Sequence, residues 1–225
     1  AGQGPTAGLT DTGSVYNFSS KTWTPMTTTN APSVRNRHSY AYVGSDKFMV
    51  WGGLNGSNGA PTNTGAVYDI SANSWTTTST GTNSPSARSY TSLVCTGTEA
   101  IVWGGLNDSA QTDYNNGAKY SVAGNSWSTM ATPAIGTAFG HSAVWTGTKM
   151  IVWGGYHANG FRATGGEYTV AGNTWRSTNP SGAPSARARH HAVWTGSVMV
   201  IWGGLSSNGS SGVVFQDGRR YTPYY

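Results

Sequence analysis

Four times along the chain an apolar run ends in a pair of glycines: Met49-Val50-Trp51-Gly52-Gly53, Ile101-Val102-Trp103-Gly104-Gly105, Ile151-Val152-Trp153-Gly154-Gly155 and Val200-Ile201-Trp202-Gly203-Gly204. The second glycines fall 52, 50 and 49 residues apart. Each run is continuous rather than alternating. A strand that is apolar on both faces must be covered on both faces. A unit of this kind cannot bury itself alone, so the chain must stack repeats against one another.

Each unit carries further punctuation. A tyrosine precedes a tryptophan by seven residues in Tyr16–Trp23, Tyr68–Trp75, Tyr120–Trp127 and Tyr168–Trp175. Before each glycine pair lies another strand and a tight turn, as in His141-Ser142-Ala143-Val144-Trp145 turning at Thr146-Gly147-Thr148. Four short strands per unit follow, a to d, with the glycine pair after b, tyrosine on c and tryptophan on d. The pattern resembles the kelch repeat, and the resemblance covers essentially the whole chain. It implies an all-β, kelch-type β-propeller of about four four-stranded blades, as a single domain over 1–225. The partial unit is 1–24, and the repeats run about 33–76, 85–128, 136–176 and 185–225. The eight tryptophans at repeat-fixed positions on b and d are expected to pack between blades. The glycine pair is expected where neighbouring blades crowd and a Cβ would clash.

Composition fits this reading and narrows the function. Charged residues make up 9% and aromatics 12% of the chain, with Gly, Ser, Thr and Asn filling much of the rest. Branched and aromatic side chains suit a pleated surface, and glycine suits turns. The net charge is +5, but its 13 basic residues form no block, so no nucleic-acid partner is expected. No apolar run reaches the ~18 residues that span a bilayer. One cysteine excludes an intrachain disulfide framework. The lysine-poor, Thr/Ser/Asn/Gly-rich surface suggests a secreted or cell-surface bacterial protein.

The strand inventory is uneven: four a strands, four b, five c and four d. Residues 1–24 supply c and d before any glycine pair, and Gly218-Arg219-Arg220-Tyr221 opens a last c. The N-terminal c and d could complete the C-terminal a and b, leaving one c surplus. The open alternatives are a small closed propeller, a fragment of a longer array, and a chain completed by other copies through its blade edges.

Three columns lead into the inner strands: Arg35, Arg88, Ala138, Arg187; then Arg37, Tyr90, Gly140, Arg189; then His38, Thr91, His141, His190. Some kelch proteins carry Arg-x-Arg here, and the resemblance implies that the second arginine reads acidic ligands at the channel mouth. That selects Arg37 and Arg189, although Tyr90 and Gly140 interrupt the ring. The first column is expected to pair with backbone carbonyls or carboxylates between blades. Tyr90, His38, His141 and His190 join the mouth as candidate binding residues. Thr91 breaks the histidine set and no carboxylate column accompanies it, so no metal site is expected.

Enzyme readings lack parts. Copper-radical oxidase chemistry of the galactose-oxidase kind needs a tyrosine cross-linked to cysteine, and the lone Cys95 sits inside an apolar strand, expected to be buried and inert. A sialidase-type site needs more carboxylates than eight Asp and Glu supply. Asp108, Asp113 and Glu167 stand near b–c loops with no paired partner. No cofactor is implied. The expectation is a non-catalytic binding or scaffold module for a protein or glycan partner. Its variable b–c loops carry Tyr114, Tyr156, His157, Phe161 and Arg162 as further binding candidates. The alternatives are structural self-assembly by strand exchange and a metal-dependent propeller oxidase.

Overall fold

The computed structural model describes residues 8, 10–56, 59–136, 138–157, 160–208 and 211–224. The extreme N-terminal Ala-Gly-Gln-Gly-Pro of the partial unit lies outside them. Among the described residues the fold is all-β, with no helix that could cross a membrane.

Four antiparallel sheets form the blades of a β-propeller. Blade 1 runs β3 (Ser39–Val43), β4 (Lys47–Trp51), β5 (Gly65–Asp69) and β6 (Ser74–Thr77). Blade 2 runs β7 (Ser92–Cys95), β8 (Glu99–Trp103), β9 (Gly117–Ser121) and β10 (Ser126–Thr129). Blade 3 runs β11 (Ser142–Trp145), β12 (Lys149–Trp153), β13 (Gly165–Thr169) and β14 (Thr174–Ser177). Each is a simple meander. Blade 4 has three strands, β15 (His191–Trp194), β16 (Met199–Trp202) and β17 (Gly218–Tyr221). A separate hairpin precedes blade 1, formed by β1 (Ser14–Asn17) and β2 (Thr22–Pro25).

The inner strands pack in sequence, β3 on β7, β7 on β11 and β11 on β15. The two ends of the arc, β3 and β15, do not pack in this way. The N-terminal hairpin does not complete blade 4 as the inventory suggested; β17 holds the edge of β16 instead. Tyr221 is paired with Met199 there, as Tyr168 is with Met150 in blade 3.

Three apolar clusters fill the spaces between blades. Trp51 and Val67 of blade 1 meet Leu93, Val102 and Trp127 of blade 2. Ile101 and Trp103 meet Met150, Val152 and Tyr168. Ile151 and Trp153 meet Met199 and Ile201. Five of the eight repeat-fixed tryptophans, Trp51, Trp103, Trp127, Trp153 and Trp175, pack in these clusters; Trp75 is half-buried outside them, and Trp23 and Trp202 are exposed. Across each blade the c-strand tyrosine stands opposite the d-strand tryptophan, with ring centroids 4.9–5.2 Å apart in blades 1 to 3. The tyrosine hydroxyl donates to an asparagine, Asn73, Asn125 or Asn173, in a left-handed turn five residues on.

The glycine pair does what crowding predicts. Gly104 and Gly105 take φ of 67° and 100°, a region that favours glycine. A Cβ on Gly105 would lie 2.6 Å from Ser89 O, and one on Gly104 would lie 2.7 Å from the His141 ring.

The first arginine column is buried, as Arg35, Arg88 and Arg187 at 4%, 1% and 0% exposure. It does not pair across blades as expected: each guanidinium latches its own blade. Arg88 donates to Gly104 O and Asn116 O, and back to Ser86 O. Arg35 does the same with Gly52 and Thr64, and Arg187 with Gly203 and Asp217. Burial lowers the Arg35 and Arg88 guanidinium pKa values to about 10, so both stay charged at neutral pH. Replacing Arg88 with Met leaves several buried carbonyls unpaired, at a cost of about 3 kcal/mol. Denaturant unfolding is expected to show that loss, and a change below about 0.5 kcal/mol, typical of a surface substitution, would mean that the latch is energetically idle.

Candidate functional site

The column Arg37, Tyr90, Gly140 and Arg189 lines one rim of the arc, at the entry to the inner strands. All four residues are left-handed, with φ of 55°, 53°, 64° and 56°. Only one is glycine, and each of the other three stores about 1–3 kcal/mol of local strain. Hydrogen bonds between adjacent blades hold the turn. Tyr90 N–H donates to Arg37 O at 3.0 Å, and Arg189 N–H donates to Gly140 O at 2.8 Å. The reversal brings the side chain of the column residue to the rim and sends the next residue down between blades.

The rim side chains gather around one ring. The Arg37 guanidinium carbon lies 5.0 Å from the Tyr90 ring centroid and that of Arg189 lies 5.7 Å from it. Phe139 packs beside Tyr90 at 6.0 Å. Arg37 is also tied to Asp108 at 3.0 Å, and the other oxygen of Asp108 accepts from the Ser89 hydroxyl. The Arg189 side chain is exposed and makes no hydrogen bond or ion pair among the described residues. The rim thus presents one tethered and one free cation flanking an aromatic face, a pair able to hold a carboxylate while the ring takes an apolar stem.

The histidines expected at the mouth sit deeper. His141 packs edge-on against Trp103 at 4.8 Å, and His190 packs the same way on Trp153 at 5.2 Å. Each fills the space above the first glycine of the preceding blade. The Nε2 of His190 shares a hydrogen bond with Ser142 Oγ at 2.7 Å. His38 leads into blade 1, which has no such blade before it. His141 and His190 thus pack in the junctions between blades, and with His38 they also line an open cavity of ≈290 Å³ between the inner strands of the four blades. Among the described residues no three His, Cys, Asp or Glu side chains gather into a cluster.

Two of the loop candidates turn inward as well. Tyr114 lies flat under the Arg88 guanidinium at 3.8 Å, so its face is taken. Arg162 reaches back to Ile135 O at 3.1 Å, beside Ala138, where the first column lacks its arginine. His157 lies 3.9 Å from Asp113, and Glu167 is buried against Lys149 at 2.9 Å, so Asp108, Asp113 and Glu167 all have partners the sequence did not reveal. Tyr156 and Phe161 do line a cleft of ≈510 Å³ between the loops of blades 3 and 4, with Ser185, Ser206 and Phe215. Phe215 escaped the sequence reading. Its signal is positional, because it covers the Arg187 guanidinium at 3.9 Å as Tyr114 covers Arg88. Cys95 is half-buried rather than fully buried, with its sulfur 3.2 Å from Gly97 N.

The family model of the attractin/LZTR1 β-propeller matches residues 2–217, and the chain belongs to this kelch-type propeller family. No curated protein matches it.

Burial holds the three imidazoles neutral, lowering their pKa values from 6.5 to about 4 for His38 and His190 and about 3 for His141. In the unfolded chain they take up protons near 6.5. Between those values the unfolded state binds more protons, so stability is full above that range and falls as the pH drops through it. Thermal unfolding followed from about pH 7 to about pH 5 is expected to show a falling midpoint, with a shallower slope for His141→Leu. Equal slopes for the two proteins would remove His141 from this linkage.

Proposed function

We propose that this propeller is a protein-binding module whose rim, built from Arg37, Tyr90 and Arg189, receives an acidic segment of its partner. Propeller domains of this family generally mediate protein interaction and are typically non-catalytic. The single observation that carries the finer reading is the left-handed rim. Three non-glycine residues hold a strained backbone in order to present two cations around one ring. Strain of this kind persists where the surrounding structure enforces it, and it concentrates at ligand clamps. Asp108 restrains Arg37 until a ligand carboxylate competes for it, whereas Arg189 is ready to bind.

A second reading has its own support. The cleft between Tyr156, Phe161 and Phe215 combines aromatic faces with serine hydroxyls, a lining suited to a glycan ring. The lysine-poor, Thr/Ser/Asn-rich composition favours an extracellular setting, where such a ligand would be met.

A labelled Asp/Glu-rich peptide, titrated by fluorescence anisotropy, is expected to bind in a salt-sensitive way. Arg189→Ala is expected to weaken it by about tenfold, or ~1.4 kcal/mol. Affinity equal for acidic and basic peptides, or unchanged in the variant, would sink the acidic-ligand reading. Oligosaccharide titrations address the cleft separately: Phe161→Ala should lose whatever binding appears there, while Arg189→Ala should leave it intact.

A further inference from the structure

The three junctions between blades share one construction. The tryptophan ending the b strand projects forward and is buried by the next blade, with Trp51, Trp103 and Trp153 at 0%, 1% and 4% exposure. Trp51 meets Trp127 at 5.6 Å, Trp103 meets Trp175 at 5.5 Å, and Trp153 meets His190. The second glycine's N–H then crosses the junction, from Gly53 to Arg88 O, Gly105 to Ala138 O and Gly155 to Arg187 O, at 2.8–2.9 Å.

Blade 4 presents the same face uncovered. Trp202 is 60% exposed and Val193 57%. A Cβ on Gly203 would meet only its own blade, at Phe215 O, and the Gly204 N–H has no acceptor among the described residues.

Blade 1 carries the complementary half. Its back face holds a cavity of ≈370 Å³ lined by Phe48, Val50, Trp75, His38, Arg35 and Met26. Phe48, Val50, Trp75 and His38 are the repeat counterparts of Met150, Val152, Trp175 and His141, the residues that enclose Trp103. The cavity is therefore an indole socket without its indole. Tyr40 and Tyr42 on the same face are 66% and 56% exposed.

We propose that the Trp202 face of one copy docks into the blade 1 socket of a second copy, extending the arc head to tail. The occupant is argued from continuity with three junctions built of equivalent residues. The chain does not fill its own socket: β3 and β15 do not pack together, and Trp202 stays exposed.

Docking carries a strand exchange. The β1–β2 hairpin already stands where strands c and d precede blade 1. Thr27 O accepts from Trp75 Nε1 just as Ser79 O and Ala131 O accept from Trp127 and Trp175. An incoming β16 would lie beside β1, so β17 of the incoming copy must leave that edge. What holds the tail is Glu167, which accepts from the Tyr221 hydroxyl at 2.7 Å and from Tyr224 N–H at 3.2 Å. Head-to-tail contacts of this kind do not close unless their rotation does, so chains as well as rings are permitted.

The proposal is independent of the rim, because Arg37 and Arg189 do not line the socket. The test is light scattering on the 225-residue protein across a concentration series. The mass is expected to rise from 23.5 kDa to multiples of it. Trp202→Ala, which removes an exposed side chain, is expected to stay monomeric with an unchanged circular dichroism spectrum. Thr12 also lines the socket, so Thr12→Trp is expected to do the same, and Tyr221→Phe to speed association by freeing the tail. A protein that stays at 23.5 kDa at the highest soluble concentration overturns the proposal, as does a Trp202→Ala variant that associates as strongly as the parent.

Discussion

The hydrogen bond from the second glycine of the first three pairs to a carbonyl of the next blade sets the spacing of everything else. It needs a left-handed residue at the end of strand b, and a neighbouring main chain close enough to exclude a Cβ. Once it forms, the tryptophan before the pair has one place to go, the space between blades. Arg88 shows how tightly the parts are joined. Its carbonyl accepts from Gly53 of the blade behind, while its guanidinium grips Gly104 and Asn116 of its own. Stacking one blade on another and closing one blade on itself therefore depend on the same residue.

The blades were legible in the sequence because the features that specify them are periodic. The apolar b strands, the glycine pairs and the seven-residue Tyr–Trp step each correspond to an observed strand or turn. Trp23 and Trp202 depart from the expectation for a physical reason: their sequence positions match the others, but no blade covers them. Sequence spacing records which surfaces are made to be buried, and the neighbours decide whether they are. The competition between β1 and β17 for one kind of edge was visible as a surplus strand, but its outcome depends on contacts such as Tyr221 with Glu167 that no repeat position announces.

The site was legible in part. The rim column Arg37, Tyr90, Gly140 and Arg189 stood out by alignment, yet its left-handed backbone did not. Arginine and tyrosine carry no preference for that region, so only the inter-blade hydrogen bonds reveal it. Loop residues were the least legible. Tyr114 and Arg162 look like exposed recognition residues, but one covers a buried guanidinium and the other fills the neighbourhood of a missing one. In a protein with few charges, a lone arginine in a loop is as apt to find a carbonyl as a ligand. Asp108 is the reverse case: an unremarkable loop carboxylate that restrains a rim cation.

The linkage between blades is made largely of main-chain atoms and a few invariant-sized side chains. Gly53, Gly105 and Gly155 each bond to a carbonyl, and the residue that owns that carbonyl is Arg in two cases and Ala in the third. Such a joint does not depend on the identity of the residue that makes it. A gene encoding it can duplicate or recombine whole blades without redesigning any interface, while each b–c loop drifts on its own. Diversity in a lineage of this kind would then accumulate in the loops and in the number of units, with the joints left nearly unchanged.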